Sequence, residues 1–313
     1  MIGSHLLDDL LNRGYTVTGL DDLSYGSAAN IEHQKKHPRF TFLNANVLDI
    51  VTLKKAATGA QTIIHLAALK KISEKEEAYP TLSVNATGTE HVLKVARELG
   101  CKVLFASTSD VYGMSPDLPL NEDGDLLIGP SMIKRWSYAV SKLYGEQMAN
   151  AYYRDFGVPV VILRYFGAFS PRSNFSWSGG HIPIFIQQVL KDEAITIHGD
   201  GSQTRSMGFV SDLVEGTRLA LESDSAIGEI INLGNDEEMS VLDAAKLIHN
   251  LAGTGKELKL KFIPMAEIFG KYKDIMRRIP DLSKAERLLG YRPKVSMQEA
   301  IRLTLNEARR EKA

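Results

Sequence analysis

Apolar positions recur at helical spacing and then at strand spacing, in alternation, through the first half of the chain. Leu6, Leu7, Leu10 and Leu11 share one helical face within residues 4–13, and Gly14 closes that segment. Residues 15–20 then alternate as a short strand ending at Asp21 and Asp22. The same reading gives strands at 40–43, 62–66 and 102–106, helices at 53–58 and 80–99, and a longer helix that carries Tyr138 and runs to about Phe156. Residues 158–166 form a nearly continuous apolar run, as expected of a strand covered on both faces. Short β-branched strands alternating with helices predict βαβ units, hence an α/β fold with a doubly wound parallel sheet.

Beyond residue 166 the regularity breaks. Residues 170–180 are rich in Pro, Ser, Asn and Gly, a composition that suits an active-site loop better than a linker. A helix at 183–191, a strand at 195–198 and helices at 242–251 and 297–307 predict a smaller α/β lobe. The chain shows no internal repeat, low-complexity tract or flexible linker, so the lobes are expected to interleave. The expected division is 1–166 for the larger lobe, with 205–235 returning to it, and 167–204 with 236–313 for the smaller one.

Composition narrows the function. A chain of 313 residues with 44% hydrophobic content can bury an ample core. A formal net charge of -1 and a pI near 6.7 offer no electrostatic footprint for nucleic acid or an anionic membrane surface. The single cysteine, Cys101, rules out an intramolecular disulfide and a cysteine-rich metal site, and no metal is expected. No apolar stretch reaches the roughly 18 residues of a membrane span, and the first residues lack the basic-then-apolar order of a secretory signal. The expected location is the cytoplasm.

Candidate chemistry centres on Tyr138 and Lys142, four residues apart and so on one helical face. A neighbouring ammonium favours a phenolate, which could take a proton from a hydroxyl near neutral pH. Taken alone, the spacing more often marks an amphipathic surface pair. A second polar cluster, residues 107–113, follows directly on the apolar run 103–106.

In this order the motifs resemble the extended short-chain dehydrogenase/reductase family, the NAD-dependent epimerases, dehydratases and decarboxylases of nucleotide sugars. The resemblance covers nearly the whole chain and implies a Rossmann-like sheet that binds NAD, with the smaller lobe holding the sugar nucleotide. Ile2 and Gly3 resemble the end of the family's glycine-rich turn. Asp21 matches the carboxylate that binds the adenosine ribose, which favours NAD over a phosphorylated cofactor. Asn46, followed by Val47, stands where the family has an aspartate beside the adenine. Leu66, Ala67 and Ala68 match the small-residue stretch that lets the cofactor approach the backbone, and Lys70 matches a lysine that contacts the cofactor in UDP-galactose 4-epimerases. Asn85 matches an asparagine with a structural hydrogen-bonding role.

The family's catalytic relay falls on Thr108, Tyr138 and Lys142. Arg205 and Arg278 match arginines that meet the substrate diphosphate, a task that suits a planar guanidinium fork. Relatives dimerise through the helices at 80–99 and 136–156, so a homodimer is the implied assembly.

Four departures from the family pattern stand out. The chain starts where the glycine-rich turn is ending, with no preceding apolar strand, so the central strand of the sheet is missing and the fold reads as N-terminally truncated. Buried backbone groups left unpaired there would cost ~1–3 kcal/mol each, and the expectation is that the true start lies upstream. Gly167 replaces a substrate-holding asparagine, and the insert 174–180 is expected to reshape the pocket. Asn46 replaces the aspartate. Ser109 and Asp110 occupy the positions of a dehydratase's Asp-Glu pair, and Ser109 removes the general acid that water elimination requires.

The expected reaction is therefore NAD-dependent 4-epimerisation of a nucleotide sugar, most simply a UDP-sugar, through transient oxidation at C4. A UDP-glucuronate decarboxylase is the runner-up, since Thr108-Ser109-Asp110 is close to that family's Thr-Ser-Glu and Gly129-Pro130 and Arg135-Trp136 also match. A non-catalytic NAD- or sugar-nucleotide-binding module is the alternative of another class.

Overall fold

The computed structural model describes residues 1–70, 77–173, 180–269 and 275–310. The first half runs α1 (Ile2–Asn12), β1 (Val17–Asp21), β2 (Phe40–Asn44), α2 (Ile50–Ala57), β3 (Thr62–His65), α3 (Tyr79–Leu99), β4 (Lys102–Thr108), α4 (Trp136–Phe156) and β5 (Val160–Tyr165). The second half continues β6 (Ala168–Phe169), α5 (His181–Leu190), β7 (Ile195–His198), β8 (Thr204–Ser206), β9 (Gly208–Phe209), α6 (Val210–Glu222), β10 (Ile230–Leu233), β11 (Glu238–Ser240), α7 (Val241–Ala252), β12 (Leu260–Ile263), α8 (Met265–Phe269), α9 (Ser283–Leu289) and α10 (Met297–Arg310).

Strands β3, β4, β5 and β10 form one parallel sheet in the order β10-β5-β4-β3, so residues 230–233 return to the sheet built by the first half. Every residue of β5 is buried, as its unbroken apolar sequence requires. Helices α2, α3 and α4 cover one face, where Val92, Leu93, Phe105, Val160 and Ile162 pack together. On the other face Leu104, Val161, Leu163, Leu213, Leu233 and Tyr291 form a second core under α6 and α9. A helix on each face of a parallel sheet is the Rossmann-like arrangement expected from the alternating pattern.

The sheet is in two pieces. Strand β1 pairs in parallel with β2, and this pair stands apart from the four-stranded sheet. The facing edges belong to β1 and β3, and Val17, Leu20, Ile63 and Ile64 line the seam between them.

The remaining strands form three two-stranded ribbons, parallel β7–β12, antiparallel β8–β11 and parallel β6–β9. With α5, α7 and α10 they enclose a separate core of Phe169, Phe185, Ile197, Ile248 and Ile301, each nearly inaccessible. Most of the short strands of this part, with α6 and α9, went unread in the sequence because two- to four-residue strands carry too few alternations to register.

Helix α4 bears the candidate catalytic pair and lies hard against the sheet. Gly157, at φ 68°, stops it in a left-handed turn that a side chain would strain. Gly145, on its buried face, leaves room for the Phe105 ring, which a Cβ would meet at 2.5 Å. Gly145→Ala is therefore expected to destabilise the fold by about 1–3 kcal/mol through overpacking, despite alanine's better helix propensity. Chemical denaturation of both proteins measures it, and a variant as stable as the parent would show that α4 can shift freely on β4.

Candidate functional site

A cleft of about 1840 Å³ runs from the seam, past the C-terminal ends of β1, β3 and β4, to β8 and α5. Such a crevice outside the carboxyl ends of the strands is where open α/β sheets bind ligands. Of the residues singled out in the sequence, Ile2, Gly3, Asp21, Asn46, Val47, Leu66, Ala67, Ala68, Lys70, Thr108, Ser109, Asp110, Tyr138, Lys142, Gly167, Arg205 and Arg278 all line it.

Asn85 does not. Its amide oxygen accepts from Leu69 N at 2.8 Å, and its nitrogen donates to Leu69 O at 3.0 Å and to Ser141 Oγ at 2.9 Å. It staples the segment after β3 to α4, the structural task that the resemblance implied, and reaches any cofactor only through that segment.

At one end of the cleft, Asp21 closes β1 and accepts Leu23 N at 2.8 Å, leaving carboxylate lone pairs for a diol. Asn46 donates to Asp22 at 2.6 Å and accepts from Leu48 N, so its amide fixes the adjoining loop. The uncapped N-terminus of α1 opens on the same space, with its partial positive charge suited to an anion.

At the centre, Thr108 ends β4 and Tyr138 and Lys142 project from α4. Thr108, Tyr138 and Lys142 line the same stretch of the cleft; the Thr108 hydroxyl accepts from Asp110 N at 3.2 Å and favours ionisation of the Tyr138 phenol. Lys142 Nζ donates to Ala106 O at 2.8 Å and lies 5.0 Å from the Phe105 ring centre. Burial lowers this ammonium's pKa to about 8, against the pull of the Glu146 carboxylate.

One expectation needs correction here. Lys142 was expected to favour the phenolate, yet Tyr138 is pushed well above its ordinary range, first by burial and then by the Asp110 carboxylate. Lys142 is turned toward the end of β4, and the nearest cation to the phenol ring is Lys70, 5.3 Å from its centre. A proton-abstracting phenolate therefore requires added positive charge beside the ring.

Asp110 is the electrostatic hub. It is 1% exposed, and its carboxylate meets Arg278 at 2.6 Å, Arg135 at 2.7 Å and Lys70 at 3.4 Å. Burial opposes its ionisation, but Arg135, Lys70 and Arg278 overcome this and hold the carboxyl well below the usual range. At the Tyr138 phenol the Asp110 carboxylate outweighs Arg135, so the cluster by itself opposes the phenolate. Arg278, expected at a diphosphate, is thus committed here to Asp110.

Arg205 is anchored differently, donating to Thr204 O at 2.7 Å and Ile275 O at 2.8 Å. Gly167 has no room for a side chain, because a Cβ would run into Met207 Sδ. The methionine occupies the space that an asparagine would need. Residues 174–179 of the expected pocket insert lie outside the described residues.

Arg135 was not proposed as a site residue. It stands three positions before Tyr138 at the entry to α4, so the i, i+3 spacing could have flagged it. His181 and His198, which line the far end of the cleft beside Arg205, were missed as well. Burial drives the His181 imidazole down to about 3, so it stays neutral.

Residues 1–304 match the family model described as GDP-mannose 4,6 dehydratase. The chain belongs to this family of NAD-dependent nucleotide-sugar enzymes. It is 33% identical to a UDP-N-acetyl-alpha-D-glucosaminuronate decarboxylase of Bacillus cytotoxicus, across 97% of this chain and 93% of the relative. It is 36% identical to the UDP-glucuronic acid decarboxylase 1 of Danio rerio, across 99% of this chain and 71% of the relative.

Among solved structures, the UDP-glucuronic acid 4-epimerase of Bacillus cereus, in complex with UDP-glucuronic acid and NAD, superposes with a TM-score of 0.88 at 30% identity, over 99% of this chain and 96% of the other. The resemblance drawn from the motifs therefore holds, and so does the Rossmann-like fold class. The members that this chain resembles include both decarboxylases and epimerases, so membership alone does not divide lyase from isomerase.

Proposed function

We propose that this chain is an NAD-dependent decarboxylase of a UDP-uronic acid, working through oxidation at C4. The observation that carries the reading is the trio of cations, Lys70, Arg135 and Arg278, gathered around Asp110 at the relay end of the cleft. A neutral hexose offers nothing to these cations, whereas the C6 carboxylate of a uronate can pair with them. The identities of 33% and 36% with decarboxylases of UDP-uronates support the same choice.

The residues fit the cofactor at both ends that matter. Asp21 offers a carboxylate to a ribose, and the open space beside Tyr138 and Lys142 would receive the nicotinamide. When bound, the oxidised nicotinamide would supply a hydride acceptor and a positive charge, of the sign that the raised Tyr138 needs. Tyr138, with Thr108 beside it, takes the proton of the C4 hydroxyl, and Lys142 braces the end of β4 through the Ala106 carbonyl.

Once C4 is a ketone, the C6 carboxylate is β to it. The C5–C6 bond then breaks to release carbon dioxide, and its electron pair passes into an enolate on O4. Thr108 and the reprotonated Tyr138 donate hydrogen bonds to that oxygen. A proton from water taken up at C5, return of hydride to C4 and return of the proton from Tyr138 to O4 complete a UDP-pentose. Asp110, held ionised, is no proton donor, which also disfavours dehydration.

Uronate 4-epimerisation is the second reading, favoured by the 30% identity with the Bacillus cereus UDP-glucuronic acid 4-epimerase. It differs in that the keto-sugar turns and takes hydride back on its other face with the carboxylate retained. Incubation with NAD and UDP-glucuronate, UDP-N-acetylglucosaminuronate or UDP-glucose, followed by proton NMR, separates the cases. Carbon dioxide with a UDP-pentose is the expected result, inversion at C4 of an intact uronate would establish the epimerase, and turnover of UDP-glucose alone would remove the argument from the cations.

A homodimer is part of the proposal. Tyr79 and Leu82 of α3 and Val140 and Tyr144 of α4 are exposed at helical spacing on the packed helix pair, an apolar face for a second copy. Light scattering of the purified protein gives its mass.

A further inference from the structure

Beneath the relay lies a buried ion pair that reaches no ligand space. Glu146, one turn beyond Lys142 on α4, is 1% exposed, and Arg164 of β5 is 3% exposed. Arg164 Nε donates to Glu146 Oε1 at 3.0 Å and Nη2 donates to Oε2 at 2.8 Å, a two-pronged pairing. Ser107 Oγ donates to the same Glu146 Oε1. Arg164 is itself held by Glu122 O at 3.2 Å and lies 4.8 Å from the Tyr112 ring centre. Neither Glu146 nor Arg164 is among the residues lining the cleft.

A buried ion pair is seldom worth its desolvation in stability alone, so its placement calls for another reason. The two ends of this clamp abut the relay: Ser107 immediately precedes Thr108, and Glu146 follows Lys142 by four residues. We propose that Glu146, locked by Arg164 and Ser107, is a positioning residue of the reaction, fixing α4 on the end of β4 so that Tyr138, Lys142 and Thr108 converge. This rests on the relay reading given above. Glu146 touches neither substrate nor cofactor and acts through Lys142.

The charged groups around Lys142 support this. From β3, His65 is buried beside Thr89 and kept neutral by its burial and by Lys142 itself. From β4 come the Ala106 carbonyl and the Phe105 ring, and from α4 itself Tyr138 and Glu146. Glu146 is the carboxylate that offsets the cost of burying the ammonium, while the two-pronged bond from Arg164 keeps that carboxylate aimed.

The test is the double variant Glu146→Gln/Arg164→Gln, which removes both charges and keeps amides able to bond. Lysine labelled with carbon-13 at Cε is titrated by NMR, with the Lys142 resonance assigned through Lys142→Met. The expected result is a Lys142 midpoint lowered by about one pH unit, a tenfold change in its ionisation constant, and a matching downward move of the alkaline limb of kcat with KM little changed. An unmoved midpoint, with only folded fraction or kcat reduced, would make the pair structural and overturn the proposal.

Should the amide pair not fold, Glu146→Leu/Arg164→Met removes the same charges in apolar form, which buried pairs often tolerate, and is read in the same way. The titration needs no turnover, so a wild-type protein inactive on every uronate would defeat the proposed function and leave this measurement standing.

Discussion

Tyr138→Phe is expected to lower kcat by about 100- to 10,000-fold, the range for loss of a positioned acid/base group. Binding should change little. Tyr138 is 9% exposed and its ring is packed within α4's buried face, so phenylalanine keeps the apolar contacts and loses one hydroxyl. That hydroxyl faces the cleft, beside Thr108, where O4 of the sugar would lie. The measurement is steady-state turnover together with NAD and UDP-uronate affinities by calorimetry. A rate within a few-fold of the parent would remove Tyr138 from the chemistry and shift proton transfer to Thr108 or bound water.

Asp110→Asn is expected to produce the largest loss of stability of any isosteric change at the site. Removing one partner of a buried ion pair strands the others, typically at about 3–5 kcal/mol, and here the stranded groups are Arg135, Arg278 and Lys70. Urea unfolding at neutral pH reads the loss.

The pH dependence has a definite sign. The folded carboxyl titrates below the unfolded value of about 3.9, so its stabilisation is fully present above that pH and is lost as the pH falls through the folded value. The difference between parent and variant should therefore hold from neutral pH down to about pH 4 and shrink in stronger acid. A variant as stable as the parent would show that the three cations are screened by water. Added UDP-glucuronate should restore more stability to the variant than UDP-glucose does, since its carboxylate supplies the missing anion.

The sequence was most readable where pattern and chain order coincide. Tyr138 and Lys142 announce themselves by spacing, and Thr108 by its place at the end of an apolar strand; the parallel sheet then carries all three to one point. Asp110 was legible as a candidate, but its surroundings were not, because Lys70, Arg135 and Arg278 come from segments far apart in the chain and meet only through the crossing of α4 with the strand ends. The direction of the Tyr138 shift was misjudged for a related reason. Burial and a carboxylate two residues after Thr108 govern that phenol, and neither is visible in a four-residue spacing. Glu146 lay in plain sight one turn past Lys142, yet only its meeting with Arg164 and Ser107 distinguishes it from the charged residues of any helix.

The close seating of Gly145 on the Phe105 ring makes the register of α4 against β4 the tolerance to which the relay is built: a heavier residue along that contact would be felt as a misaligned tyrosine as well as a looser fold.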